Sequence, residues 1–90
     1  MVNVTPEQIS QFIGELDNAI QGDVISPALF ARGVLERIGK DNLGFLIEKL
    51  EPSSIVESIK AAGGESSAIV TRAGRKYIEQ VWQEAKQLLS

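Results

Sequence analysis

A chain of 90 residues, 43% of them hydrophobic, has room for one modest core and no second domain. It contains no cysteine and no histidine, which removes disulfides, thiolate nucleophiles, zinc-thiolate sites, imidazole ligands and the general base most used near neutral pH. Twelve acidic against nine basic side chains, net −3, disfavour non-specific attachment to phosphate backbones or anionic lipid.

The opening residues Met1 to Glu7 carry no cation, and apolar runs such as Phe45-Leu46-Ile47 are only a few residues long. The expectation is a cytoplasmic protein with neither signal peptide nor membrane span. Charge is unevenly placed. Residues 1–25 hold Glu7, Glu15, Asp17 and Asp23 and no cation, whereas residues 66–78 hold Arg72, Arg75 and Lys76 and no anion.

Thr5-Pro6-Glu7-Gln8 predicts a helix start: Thr5 can accept from an exposed amide, Pro6 is pre-set for the first helical position, and Gln8 can reach back as in a capping box. Ile9, Phe12, Ile13, Leu16 and Ile20 then recur at spacings of three and four until Gln21-Gly22-Asp23 stops the helix, giving an expected span of 6–20. Ser26-Pro27 repeats the same punctuation and opens a helix over 27–38 with Leu29, Phe30, Val34, Leu35 and Ile38 as apolar positions and Gly39 as a left-handed cap. A third helix is expected over 42–50, with Leu43, Leu46, Ile47 and Leu50 on one side, until Pro52 forbids continuation. Ser54 with Glu57 offers a capping box for a fourth over 54–62, carrying Ile55, Val56 and Ile59 and ending at Gly63-Gly64. The stretch from Gly63 to Ser67 reads as a hinge.

The last helix is expected over 67–89, beginning at Ser66 or Ser67, or at Thr71 if Ala68-Ile69-Val70 is extended. At about 100° per residue, Val70, Gly74, Tyr77, Ile78, Val81, Trp82, Ala85, Leu88 and Leu89 share one arc roughly 140° wide. Gly74 inside that arc marks either a close approach by a second helix or the true start of this one. The pattern predicts an all-α, small single-domain bundle of four or five helices with a long C-terminal amphipathic helix. Its core is expected from Ile9, Phe12, Ile13, Leu16, Phe30, Val34, Ile38, Leu46, Ile47, Leu50, Tyr77 and Val81.

No pair of carboxylates is forced together in an apolar setting, Ser, Thr and Lys lack an activating partner, and no metal-ligand spacing occurs. The expectation is therefore no enzyme activity, no cofactor, no metal and no small-molecule ligand. Leu35 to Leu43, with Gly39 at its turn, resembles the helix-hairpin-helix motif, although the residues read more simply as a glycine cap between two core helices. Ile69-Val70-Thr71-Arg72-Ala73-Gly74-Arg75-Lys76-Tyr77-Ile78 resembles the end of a winged-helix domain, which implies a strand before Thr71 and a DNA-reading helix upstream.

The arc of the last helix is wide for a small domain, so its edge residues Ile78, Trp82 and Leu89 are expected to be left for a partner. Arg72, Arg75 and Lys76 sit where cations oppose the helix dipole and gain nothing locally. They are read either as pairing internally with the acidic first helix or Glu79, or as an electrostatic rim for an acidic partner. The leading expectation is a non-enzymatic, regulatory interaction module that binds a protein partner, or itself as a homodimer, through Arg72, Arg75, Lys76, Ile78, Trp82 and Leu89. The alternative is a small winged-helix-like DNA-binding regulator, with nucleic acid the less favoured partner.

Overall fold

The computed structural model describes residues 4–22, 25–61, 63 and 68–90. Within them the chain is all-α and contains no strand: α1 (Pro6–Gly22), α2 (Pro27–Ile38), α3 (Lys40–Lys49), α4 (Pro52–Ala61), a 3-10 turn at Ala68–Val70, and the long C-terminal α5 (Arg72–Leu89). Asp23 and most of the expected hinge, residues 64–67, lie outside the described residues.

Local chemistry explains most boundaries. The Thr5 hydroxyl accepts from the Gln8 amide at 3.2 Å while the Gln8 side chain accepts from the Thr5 amide at 2.9 Å, a complete capping box. Ser26 caps α2 through the Leu29 amide, with Pro27 in the first turn. Gly39 adopts φ 88°, a left-handed geometry suited to glycine, and joins α2 to α3 so tightly that α3 begins at Lys40 rather than at Asn42. Similarly, α4 starts at Pro52 rather than at Ser54. A proline is pre-set for the first helical turn, and the Ile55 amide donates to the Glu51 carbonyl, so Ser54 is already inside the helix.

The C-terminal helix departs most from expectation. Ala68-Ile69-Val70 is neither α-helical nor extended but a 3-10 turn, and Thr71 is the N-cap of α5. One hydroxyl makes the junction: Thr71 Oγ1 donates to the Ala68 carbonyl at 2.7 Å and accepts from the Gly74 amide at 2.9 Å. Gly74 is needed there. A Cβ on it would overlap the carbonyl oxygen of Ala68 and come within 2.9 Å of that of Ile69. The turn is further held from α1, where Asp17 accepts the Ala68 amide at 2.9 Å.

Once in place, α5 packs against α1, α2, α3, α4 and the 3-10 turn. The core follows from that central position: Phe12, Leu16, Phe30, Val34, Leu43, Leu46, Ile47, Ile55, Val56 and Ile69 surround Ile78, Val81, Trp82 and Ala85. Ile9, Ile13, Ile38, Leu50 and Tyr77, expected in the core, are half-buried at its margin. Trp82, Phe12, Phe30 and Tyr77 form a chain of ring contacts with centroids 5.7, 6.0 and 6.2 Å apart. No described helix is long and apolar enough to cross a membrane.

Candidate interaction site

The apolar face of α5 is not left for a partner. Ile78 is fully buried and Trp82 is 3% exposed, its indole N–H donating to the Leu50 carbonyl at 2.6 Å, so neither can anchor another protein on this fold. The width of the arc has an intramolecular cause: a helix touched by all four others needs an apolar surface on several sides. Leu89 is half-buried and presents only an edge.

The cations of α5 do remain outside. Arg72, Arg75 and Lys76 are exposed, and none is ion-paired with a described residue. Of the two readings of these cations, internal pairing with α1 or with Glu79 is not realised among the described residues: Glu15 is ion-paired with Arg37, and Asp17 accepts from the Ala68 amide and the Gln21 side-chain amide. Their position at the start of α5 therefore stays unfavourable with respect to the helix dipole. Upstream, the segment that a winged-helix domain would run as a strand is the 3-10 turn, held by Thr71 and Asp17.

The exposed apolar surface lies elsewhere. Ile25 and Leu29 are 46% and 60% exposed, the two large hydrophobic side chains most open to solvent among the described residues. Both border a groove between α1 and α2, which each pack on α5 without packing closely on one another. The groove has a hollow of about 420 Å³ walled by Ala19, Gly22, Ile25, Leu29, Phe30 and Gly33, and a second of about 180 Å³ reaching Val4, Gln8 and Ile38. Between the hollows one ion pair spans the groove, Arg37 Nη1 lying 2.8 and 2.5 Å from the two carboxylate oxygens of Glu15.

Ile25 is fixed from behind. Its carbonyl accepts the Tyr77 hydroxyl at 2.9 Å, tying the segment before α2 to α5. Partial burial of the Tyr77 phenol raises its pKa above the ordinary 10.0, so at neutral pH the hydroxyl is a donor. Gly33, opposite Ala19, has no heavy atom within 4 Å of where a Cβ would sit, unlike Gly74.

Periodicity already sets Leu29 apart. Phe30, Val34, Leu35 and Ile38 fall in an arc of about 140°, and Leu29 lies about 100° beyond its edge. Leu29, an apolar position of the helix that is not among the expected core residues, is marked by that offset as outward-facing. No group of His, Cys, Asp or Glu side chains capable of holding a metal ion occurs among the described residues. Comparison with family models, curated proteins and solved structures finds no match to this chain.

Proposed function

We propose that the protein is a non-enzymatic protein–protein interaction module whose working surface is the α1–α2 groove rather than the apolar face of α5. The observation that carries this reading is the exposure of Leu29 and Ile25 beside an apolar hollow of about 420 Å³. Burying a leucine side chain is worth roughly 1.5 to 3 kcal/mol, and an apolar helix or loop seated between α1 and α2 recovers that for Leu29. The basic face at Arg72, Arg75 and Lys76 is a secondary feature that favours acidic surroundings.

The test is site-specific photocrosslinking in the cells that make the protein, with p-benzoylphenylalanine in place of Leu29 or, as a control, Gln83 on the exposed side of α5. The reading expects a discrete adduct from position 29 and none from position 83. Adducts from position 83 alone, or from neither position, overturn it.

A further inference from the structure

We infer that the start of α5 is a second docking surface, independent of the groove, and that it receives a short cluster of carboxylates on another protein. Arg72, Arg75 and Lys76 are all exposed, and none is ion-paired with a described residue. At about 1.5 Å of rise per residue, the three lie within roughly 6 Å along the helix axis. The fold gains nothing from them. Arg72 and Arg75 occupy the first turn, against the positive end of the helix dipole, and Arg72 meets Arg75 and Lys76 at the i, i+3 and i, i+4 spacings where like charges repel. Side chains that destabilise their own helix are accounted for by what they attract. Two of the three are arginines, whose forked donors match a carboxylate bidentately.

The surroundings of the patch select the class of partner. Glu79, one turn beyond Arg75, lines a hollow together with Glu48 and Glu51, so exposed carboxylates bound the positive surface on that side. A duplex presents one negative charge about every 1.7 Å of its length and carries phosphates across that boundary. A protein segment, by contrast, can set its acidic residues opposite Arg72, Arg75 and Lys76 alone. The face also lacks rings for unpaired bases to stack on, because Trp82 is buried and Tyr77 is half-buried against Phe30. With four helices packed on it, α5 does not stand clear of the fold as a groove-reading helix does. Gln83, about 10 Å past Lys76 along the axis and beyond Glu79, falls outside this footprint.

The experiment titrates the isotope-enriched full chain with hexaglutamate at low salt and follows the backbone amides by NMR. Shift changes are expected to centre on residues 72–76 and to fade as salt is raised. Arg72→Glu is expected to weaken this binding by about fivefold or more. The same substitution is expected to raise the thermal midpoint by about 2 °C or more, since it puts an anion in the first turn and a glutamate four residues before Lys76. Arg32→Glu, which reverses an exposed cation on α2, is expected to change the affinity by less than about twofold. No binding at low salt, or shifts spread evenly over all the cations of the chain, overturns the inference. So does a thermal midpoint that falls in Arg72→Glu, because the cation then serves the fold. Tighter binding of a short DNA duplex at residues 72–76 overturns the carboxylate partner and makes the face a nucleic-acid surface. None of these outcomes touches the groove, whose own test reads position 29.

Discussion

Two glycines in similar helical surroundings do opposite work. Gly74 lies in the first turn of α5 against the backbone carbonyls of Ala68 and Ile69, so a methyl group there forces the 3-10 turn away from the helix. Gly74→Ala should cost at least about 1 to 3 kcal/mol, in the range of overpacking, as measured by urea denaturation. Gly33→Ala, in the middle of α2 with open space at its Cβ, should instead stabilise the monomer by up to about 1 kcal/mol, because only the helix penalty of glycine is removed. The same scale governs Tyr77, the only tyrosine in the chain, so phenolate absorbance reports it alone. Its folded-state pKa is raised, so the native protein keeps the proton to higher pH than the unfolded chain does. The stability linked to this group is complete below pH 10.0 and falls as pH rises through the window between the ordinary and the folded values. The native midpoint should lie above that measured in denaturant; equal midpoints would contradict the burial argument.

At the scale of elements, what was legible in the sequence was what neighbours in sequence decide. The capping box at Thr5 and Gln8, the Ser26 cap and the Gly39 turn each depend on residues within four positions, and each is present. The start of α5 was legible only as a choice, with Thr71 and Gly74 already among the candidates, because Ser66, Ser67 and Thr71 are all acceptable caps and a partner 51 residues away, the Asp17 carboxylate on the Ala68 amide, holds the 3-10 turn before Thr71. Thr71→Ala removes both the acceptor for Gly74 and the donor to Ala68, and should cost about 1 kcal/mol. Asp17→Ala removes a charged acceptor and should cost about 1.5 to 3 kcal/mol. Hydrogen exchange should show both losses concentrated at the beginning of α5. Uniform loss of protection over α2 and α3 instead would place the contribution of Asp17 and Thr71 elsewhere.

At the scale of the whole molecule, helix periodicity states how much of a helix is apolar but not how many neighbours it has. The arc of α5 is wide because α5 is the hub of the bundle, whereas the modest stripes of α1 and α2 leave a groove because these helices splay over it. The position of Leu29 outside the arc of α2 was readable; the hollow beside it was not, since it exists only once both helices are seated on α5. Substitutions on the two surfaces should therefore separate cleanly. A domain of this size is stable by about 5 to 13 kcal/mol, and truncating a buried tryptophan removes about 3 to 5. Trp82→Ala also leaves the Leu50 carbonyl without its indole donor, so it should remove a large part of that stability, lower the thermal midpoint by more than about 15 °C and weaken any binding through the lost folded fraction alone. Leu29→Glu changes a side chain that is 60% exposed and should shift the thermal midpoint by no more than about 2 °C. Melting followed by circular dichroism, which does not rely on the missing indole, makes the comparison. Were Leu29→Glu to destabilise the monomer as strongly as Trp82→Ala, Leu29 would belong to the core and the groove would lose its anchor.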